Sequence, residues 1–138
     1  MTSPPTIAVD RVSLTYGRGR RRITAVDDVS ISIAGATLVA VLGPNGSGKS
    51  SLLLMMATAL PPASGAISIG GETSLIARRR STGVVFQSPA LDPSMRVCED
   101  LMDHAALRGI ARSQRNALVT RLLEEGGLSS EANTLIRH

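Results

Sequence analysis

Alternating apolar and polar positions mark the first part of the chain as strand-rich. An early strand, ending near Tyr16, is predicted by apolar residues at positions 7, 9, 12 and 14. Residues 29–33 alternate cleanly with a period of two, and residues 65–71 repeat this pattern at Ile67 and Ile69. We therefore predict two strands near the N-terminus and an edge strand or hairpin further along.

Two other segments are apolar without alternation. Residues 38–42 form a continuous apolar run, which is typical of a strand buried on both faces in a parallel sheet. A shorter run at residues 84–86 predicts another such strand. A helix is predicted from Lys49 to about Leu60, where two prolines stop it, and a turn at residues 34–36 precedes the first run.

From Pro93 onward the spacing becomes helical. Residues 97–107 and 112–123 predict two helices, with stops at Gly109 and at Gly126-Gly127. Leu118, Leu122 and Leu123 form a candidate buried face of the second helix. The sequence thus predicts a strand-rich α/β core over residues 1–92 and a small helical subdomain over residues 93–138.

Composition fits a single domain and limits its partners. The chain has 138 residues, of which 43% are hydrophobic, and a net charge of +4. Its only aromatic residues are Tyr16 and Phe86, so few platforms exist for stacking single-stranded nucleic acid. Most of the positive charge is arginine, with runs at 18–22 and 78–80 that we interpret as solvated loops, although basic runs can also mark nucleic-acid or lipid partners.

Secretion, a membrane span and a cysteine-based site find no support in the sequence. Cys98 is the only cysteine, so a disulfide or a cysteine metal site within one chain is excluded. Residues 1–5 show no basic region followed by an apolar stretch, so we expect no signal peptide there. The longest apolar stretch, residues 52–60, would span about half of a bilayer core as a helix.

The strongest chemical signal is a glycine-rich loop between the predicted buried strand and the helix that follows. Its pattern is Gly-x-x-x-x-Gly-Lys-Ser, and its residues are Gly43, Pro44, Asn45, Gly46, Ser47, Gly48, Lys49 and Ser50. The glycines let the backbone approach an anion, and the helix start adds partial positive charge. Lys49, the only lysine in the chain, would reach the β- and γ-phosphates, and the Ser50 hydroxyl is the expected Mg²⁺ ligand.

This loop, continued by Ser51 and Leu52, closely resembles that of ABC-type ATPases. Three further segments resemble the same family in the same order: residues 14–17 with their aromatic, residues 62–71, and residues 84–87 ending at Gln87. The resemblance covers nearly the whole chain. It implies an α/β P-loop NTPase core of the ABC ATPase type, with an antiparallel β portion and the start of a helical subdomain, and an incomplete domain overall.

The resemblance also implies roles for residues outside the loop. Tyr16 would stack on the adenine of ATP; the alternative is a strand-end tyrosine that caps the core. Gln87 would help to hold Mg²⁺ and the attacking water, and would relay the nucleotide state to a membrane partner. Family partners would be a separate transmembrane permease and a second ATP-binding subunit, with the chain in the cytoplasm at the inner face of the membrane.

Residues 89–101 resemble the family's entry into the helical subdomain, with most similarity to subunits that pair with drug or polysaccharide export permeases. Other family motifs are absent from the sequence: it has no Leu-Ser-Gly-Gly signature, no apolar strand ending in Asp-Glu after the loop, and no switch histidine. By resemblance the signature would begin just after His138. We therefore expect a truncated cassette that binds Mg-ATP and that, although its family is one of ATPases, hydrolyses little alone.

Two alternatives stay open at this point. One is a regulatory nucleotide-binding module that never hydrolyses ATP and is stable as it stands. The other is an ABC-type protein that acts on DNA or ribosomes, suggested by the arginine runs, although the scarcity of aromatic residues argues against nucleic acid as a partner. Salt-dependent binding of nucleic acid would distinguish the second from the transporter reading.

Overall fold

The computed structural model describes residues 6–87 and 91–137 and separates the chain into two compact units, Met1–Val84 and Val85–His138. The sequence placed the change from strands to helices at residues 92 and 93. The first unit contains β1 (Ile7–Tyr16), β2 (Ile23–Ile33), α1 (Lys49–Met56), β3 (Ser64–Ile69) and α2 (Leu75–Ser81). The second contains α3 (Val97–Leu107) and α4 (Arg112–Glu125). Two short 3₁₀ helices lie at Gly19–Arg21 and Ser129–Glu131.

A three-stranded antiparallel sheet organises the first unit, in the order β2-β1-β3. The central strand pairs Val9 with Ile31 on one side and with Ile67 on the other, so alternate apolar residues share one face. The early strand and the strand near residue 67 are thus confirmed, and β2 is longer than predicted. Bulges interrupt the ladder near Arg11 and Asp28, whose φ angles of 44° and 46° are positive.

Helix α1 packs on the apolar face of this sheet. Leu52 and Met55, one turn apart, are both buried and join a core with Val9, Val12 and Ile67. The core is aliphatic, as the near absence of aromatic residues requires. The helix ends at Met56, one turn earlier than the prolines at positions 61 and 62 led us to predict.

The prediction of strands at residues 38–42 and 84–86 was wrong. Both segments lack regular structure, and Leu38, Leu42 and Val85 are almost fully exposed. An extended segment becomes a strand only when a neighbour completes its hydrogen bonds. Within residues 6–87 and 91–137, the sheet consists of β1, β2 and β3 alone, and neither apolar run pairs with it.

The interpretation of residues 78–80 as a solvated loop was also wrong. These arginines form the last turns of α2, and the Arg78 side chain is buried. Arg18–Arg22, in contrast, lies in the exposed connection between β1 and β2, as predicted. The two basic runs therefore differ in their surroundings. The run at residues 18–22 is solvated, whereas the run at residues 78–80 is partly packed within the first unit.

In the second unit, α3 has the predicted bounds and packs against α4. Ala105, Val119 and Leu123 are buried, whereas Leu122 is exposed, so the buried stripe of α4 follows the four-residue spacing from Val119 to Leu123. This corrects the predicted face. Residues 132–136 return to the start of α3, where the Val97 and Cys98 amides donate to the carbonyls of Thr134 and Ala132.

No helix within the described residues is both long and apolar enough to cross a membrane.

Candidate phosphate-binding site

The loop at residues 43–48 has a backbone whose handedness alternates. Gly46 and Gly48 have φ angles of 82° and 87°, whereas Asn45 and Ser47 are not among the residues with positive φ. Such an alternation turns successive N–H groups toward one side and makes a concave site for anions. The loop geometry is therefore that of an anion cradle.

Gly48 packs closely against β2, and any larger residue at this position would require the backbone to shift. A Cβ atom at this position would lie 2.1 Å from the Ala25 carbonyl oxygen and 3.3 Å from Val26 Cγ2. At Gly46, whose φ is similar, a Cβ would meet nothing within 4 Å. Gly48 is thus required both for its left-handed backbone and for its close approach to the strand.

The start of α1 is open to an anion. Gly48 is the N-cap residue, no side chain caps the helix there, and the first turn contains no acidic residue. Helix N-termini leave N–H groups without intrahelical partners, and the helix dipole adds partial positive charge at this end. These donors are therefore available to a phosphate that enters the loop.

Lys49 places the only ammonium group of the chain at the same point. Its Nζ donates to the carbonyl oxygens of Gly43 and Pro44, at 2.8 and 2.7 Å. Two of the three donors of the ammonium are thus used to hold it over the loop, and the third can serve an anion. The side chain is half-buried, which strengthens its electrostatic effect relative to a fully solvated lysine.

A cavity of about 360 Å³ lies between the loop and β2. Its walls include Ala25, Val41, Ser47 and Lys49, and Asp27 contributes a carboxylate at the strand side. The cavity brings the lysine and the loop backbone to one concave surface. The contribution of β2 to this surface was not predicted from the sequence.

Tyr16 lies beside the same helix. Its hydroxyl and that of Ser51 are 3.1 Å apart, and the side chain is 43% exposed. Tyr16 is thus partly exposed at the end of β1, and its hydroxyl lies beside that of Ser51 in α1. The structure brings together two residues that the resemblance placed at the nucleotide, through a contact that the sequence analysis missed.

Two other predicted site residues, Ser50 and Gln87, are exposed to solvent. Ser50 is exposed at the start of α1. Gln87 is exposed in a bend at the beginning of the second unit, and its predicted role stays a prediction. Residues 1–5, residues 88–90 at the predicted entry into the helical subdomain, and His138 lie outside the described residues.

Comparison with known proteins gives a consistent family. A family model described as "ABC transporter" matches residues 26–138. The taurine import ATP-binding protein TauB of Burkholderia thailandensis is 36% identical over 111 residues, covering 80% of this chain and 42% of that protein. The macrolide export ATP-binding/permease protein MacB of Burkholderia pseudomallei is 34% identical over 137 residues, covering 94% of this chain and 21% of that protein.

Solved structures agree with the fold. The dimeric structure of MJ0796, a bacterial ABC transporter cassette, has a TM-score of 0.80 and 26% identity, covering 94% of this chain and 61% of that one. A post-hydrolysis dimer of the same cassette, bound to ADP and Pi, has a TM-score of 0.77 at 24% identity and supports the fold alone. The chain spans less than two thirds of each of these relatives. It belongs to the ABC transporter family, and its fold is that of part of the family's ATPase cassette.

Proposed function

We propose that this chain binds Mg-ATP, with the triphosphate in the loop at residues 43–50, and that it is the nucleotide-binding part of an ABC transporter ATP-binding subunit. The observation that carries the proposal is the convergence of three features on one cavity. These are a backbone of alternating hand, an uncapped helix start and the lone lysine. Each alone is common, but together they match the charge and geometry of a polyphosphate.

The role proposed for each residue of the loop and α1 follows from its position in the structure. Lys49 binds the β- and γ-phosphates, and the backbone of Pro44–Ser47 surrounds them. Ser51, which follows Ser50 in α1, is proposed as a further nucleotide-binding residue. The exposed Ser50 hydroxyl at the helix start suits a Mg²⁺ ion that is held mainly by phosphate oxygens and water. Magnesium would neutralise phosphate charge there. Gln87 is proposed as a second group near the metal and the attacking water.

The proposed partners are a separate transmembrane permease and a second ATP-binding subunit, at the cytoplasmic face of the membrane. The names of the relatives support a transport role, but they include both import and export proteins. They therefore do not favour the export subtype over import. Hydrolysis by these residues alone should be negligible, because the sequence contains neither the Leu-Ser-Gly-Gly signature nor an acidic strand end after the loop.

The single lysine permits a direct test of where ATP binds. An amine-acylating reagent can modify only the Lys49 ammonium and the α-amino group of the chain. We expect Mg-ATP to protect Lys49 and to leave the α-amino group unchanged, as followed by mass spectrometry of peptides. The α-amino group is an internal control for reagent activity. Equal acylation of Lys49 with and without saturating Mg-ATP would contradict the proposed site.

Tyr16 should contribute to binding of the adenine base and not to binding of the phosphates. We expect Tyr16→Leu to weaken ATP binding by about tenfold, since stacking on a base contributes about 1–3 kcal/mol. Tyr16→Phe should bind ATP almost as wild type does, because the ring is kept. Inorganic tripolyphosphate, which has no base, should bind all three proteins equally in competition titrations. A loss of tripolyphosphate affinity in Tyr16→Leu would mean that Tyr16 supports the loop instead.

A further inference from the structure

The C-terminal end of α1 is closed by a residue in an unusual conformation. The amides of Thr58 and Ala59 donate to the carbonyls of Met55 and Leu54, at 3.2 and 2.9 Å. This pair of bonds closes a helix through a left-handed residue, which is usually glycine. Here that residue is Thr58, with φ of 62°, a conformation that β-branched side chains avoid. Because Thr58 is buried, its surroundings must hold it in place.

Two arginines of α2 provide those surroundings. Arg78 Nη2 donates to the Met55 carbonyl at 3.0 Å. Arg79 donates from Nε to Thr58 Oγ1 at 3.2 Å and from Nη2 to the Thr58 carbonyl at 3.4 Å. They supply donors to carbonyl groups that lie at or just beyond the helix end, and they place positive charge at the negative end of its dipole.

Arg78 lies in a position that is energetically unfavourable for a cation. Its exposure is only 7%, and it forms no salt bridge with a carboxylate of the described residues. Burial lowers the pKa of its guanidinium, and Nε has no hydrogen-bond partner in the part of the chain that the structure describes. A buried cation is destabilising unless other groups compensate it. The compensating group seen here is the carbonyl end of α1.

We infer that Arg78 and Arg79 are positioning residues for phosphate binding, because they fix the C-terminal end of the helix whose N-terminal end carries Lys49 and the loop. This inference rests on the proposed function. Helix α1 has eight residues and spans about 12 Å, so a shift at one end moves the other. Fixing the helix before the nucleotide arrives reduces the ordering that binding must bring about.

The first experiment compares Arg78→Met with Arg80→Met, which removes an exposed cation from the same helix. Calorimetric titration of the folded chain should show Mg-ATP affinity about tenfold weaker in Arg78→Met and unchanged in Arg80→Met. Arg78→Lys, which keeps one charged donor, should recover part of the loss. Hydrogen exchange at amides 57–60 should accelerate in Arg78→Met. Wild-type affinity in Arg78→Met would overturn the inference.

A second set of variants covers the case in which Arg78→Met does not fold. Arg79→Met and Thr58→Val each remove one side of the same contact, so their effects on Mg-ATP affinity should not add in the double variant. Simple additivity would overturn the inference. So would a general loss of stability, in which exchange accelerates equally across β1 and β3 while the folded fraction keeps its affinity.

These measurements separate the inference from the proposed function. If the unmodified chain takes up no Mg-ATP, the proposed function fails. Exchange at amides 57–60 then decides whether the two arginines hold the helix end: unchanged exchange in Arg78→Met removes that role as well.

Discussion

Replacing Lys49 by alanine should weaken Mg-ATP binding by about 100-fold, because a charged hydrogen-bond donor to the phosphates contributes about 1.5–3 kcal/mol. No other lysine can substitute for it, since the chain contains none. The loss has a second source. The Lys49 ammonium links the carbonyls of Gly43 and Pro44, so its removal also releases the loop that it holds. Isothermal titration calorimetry with Mg-ATP measures the combined effect.

The control for Lys49→Ala is Arg112→Ala, which removes the same charge from an exposed position on α4. This variant should bind Mg-ATP as wild type does, because Arg112 is exposed to solvent and is not among the residues proposed to bind the nucleotide. Both variants should retain the wild-type melting temperature within a few degrees, which shows that the difference arises at the site. Equal affinity in Lys49→Ala and wild type would refute the proposed role of the loop.

Gly48→Ala should lower the free energy of unfolding by about 3 kcal/mol or more, combining left-handed strain with a backbone clash. The added methyl would lie 2.1 Å from the Ala25 carbonyl oxygen, which belongs to the backbone of β2 and not to the flexible end of a side chain that could turn away. The loop must then leave β2, and the cavity that holds Lys49 should open. Urea unfolding, compared at constant m-value, measures this change.

Gly46→Ala is the matched comparison for this prediction. Its φ of 82° is close to the 87° of Gly48, so the conformational strain of a left-handed alanine is nearly the same. The new methyl meets no atom within 4 Å, and the cost should be about 1 kcal/mol. The difference between the two variants therefore reports the contact with β2. If both variants unfold at the same urea concentration, the loop is not packed against the strand as described.

Local periodicity predicted the elements that are stabilised mainly by local pattern. Helix α3 has the bounds expected from its spacing, and β1 and β3 lie where alternation placed them. The continuous apolar run at residues 38–42 gave a wrong prediction, because such a run becomes a strand only beside a hydrogen-bonding neighbour. Helix α2 was missed, since Arg78–Arg80 offers no apolar stripe and the helix is held by contacts with the end of α1.

In the candidate site, too, the residues of a short motif could be predicted from the sequence, whereas contacts between residues far apart in sequence could not. The glycine and lysine positions follow from a motif within eight residues, and the structure places Gly43, Gly48 and Lys49 around one cavity. The contact between Tyr16 and Ser51 joins residues 35 positions apart, and no sequence spacing encodes it. Thr58 in a left-handed conformation is another example, because propensity alone disfavours it and the contacts with the arginines of α2, distant in sequence, help to hold it.

The most direct test is a calorimetric titration of the folded, unmodified chain with ATP in the presence of magnesium. The account predicts saturable uptake of one nucleotide per chain, with a dissociation constant between micromolar and millimolar values. Competition by inorganic tripolyphosphate should accompany it, because the loop contacts the phosphates. An absence of uptake on well-folded material at millimolar Mg-ATP would contradict the central claim that this loop grips a triphosphate.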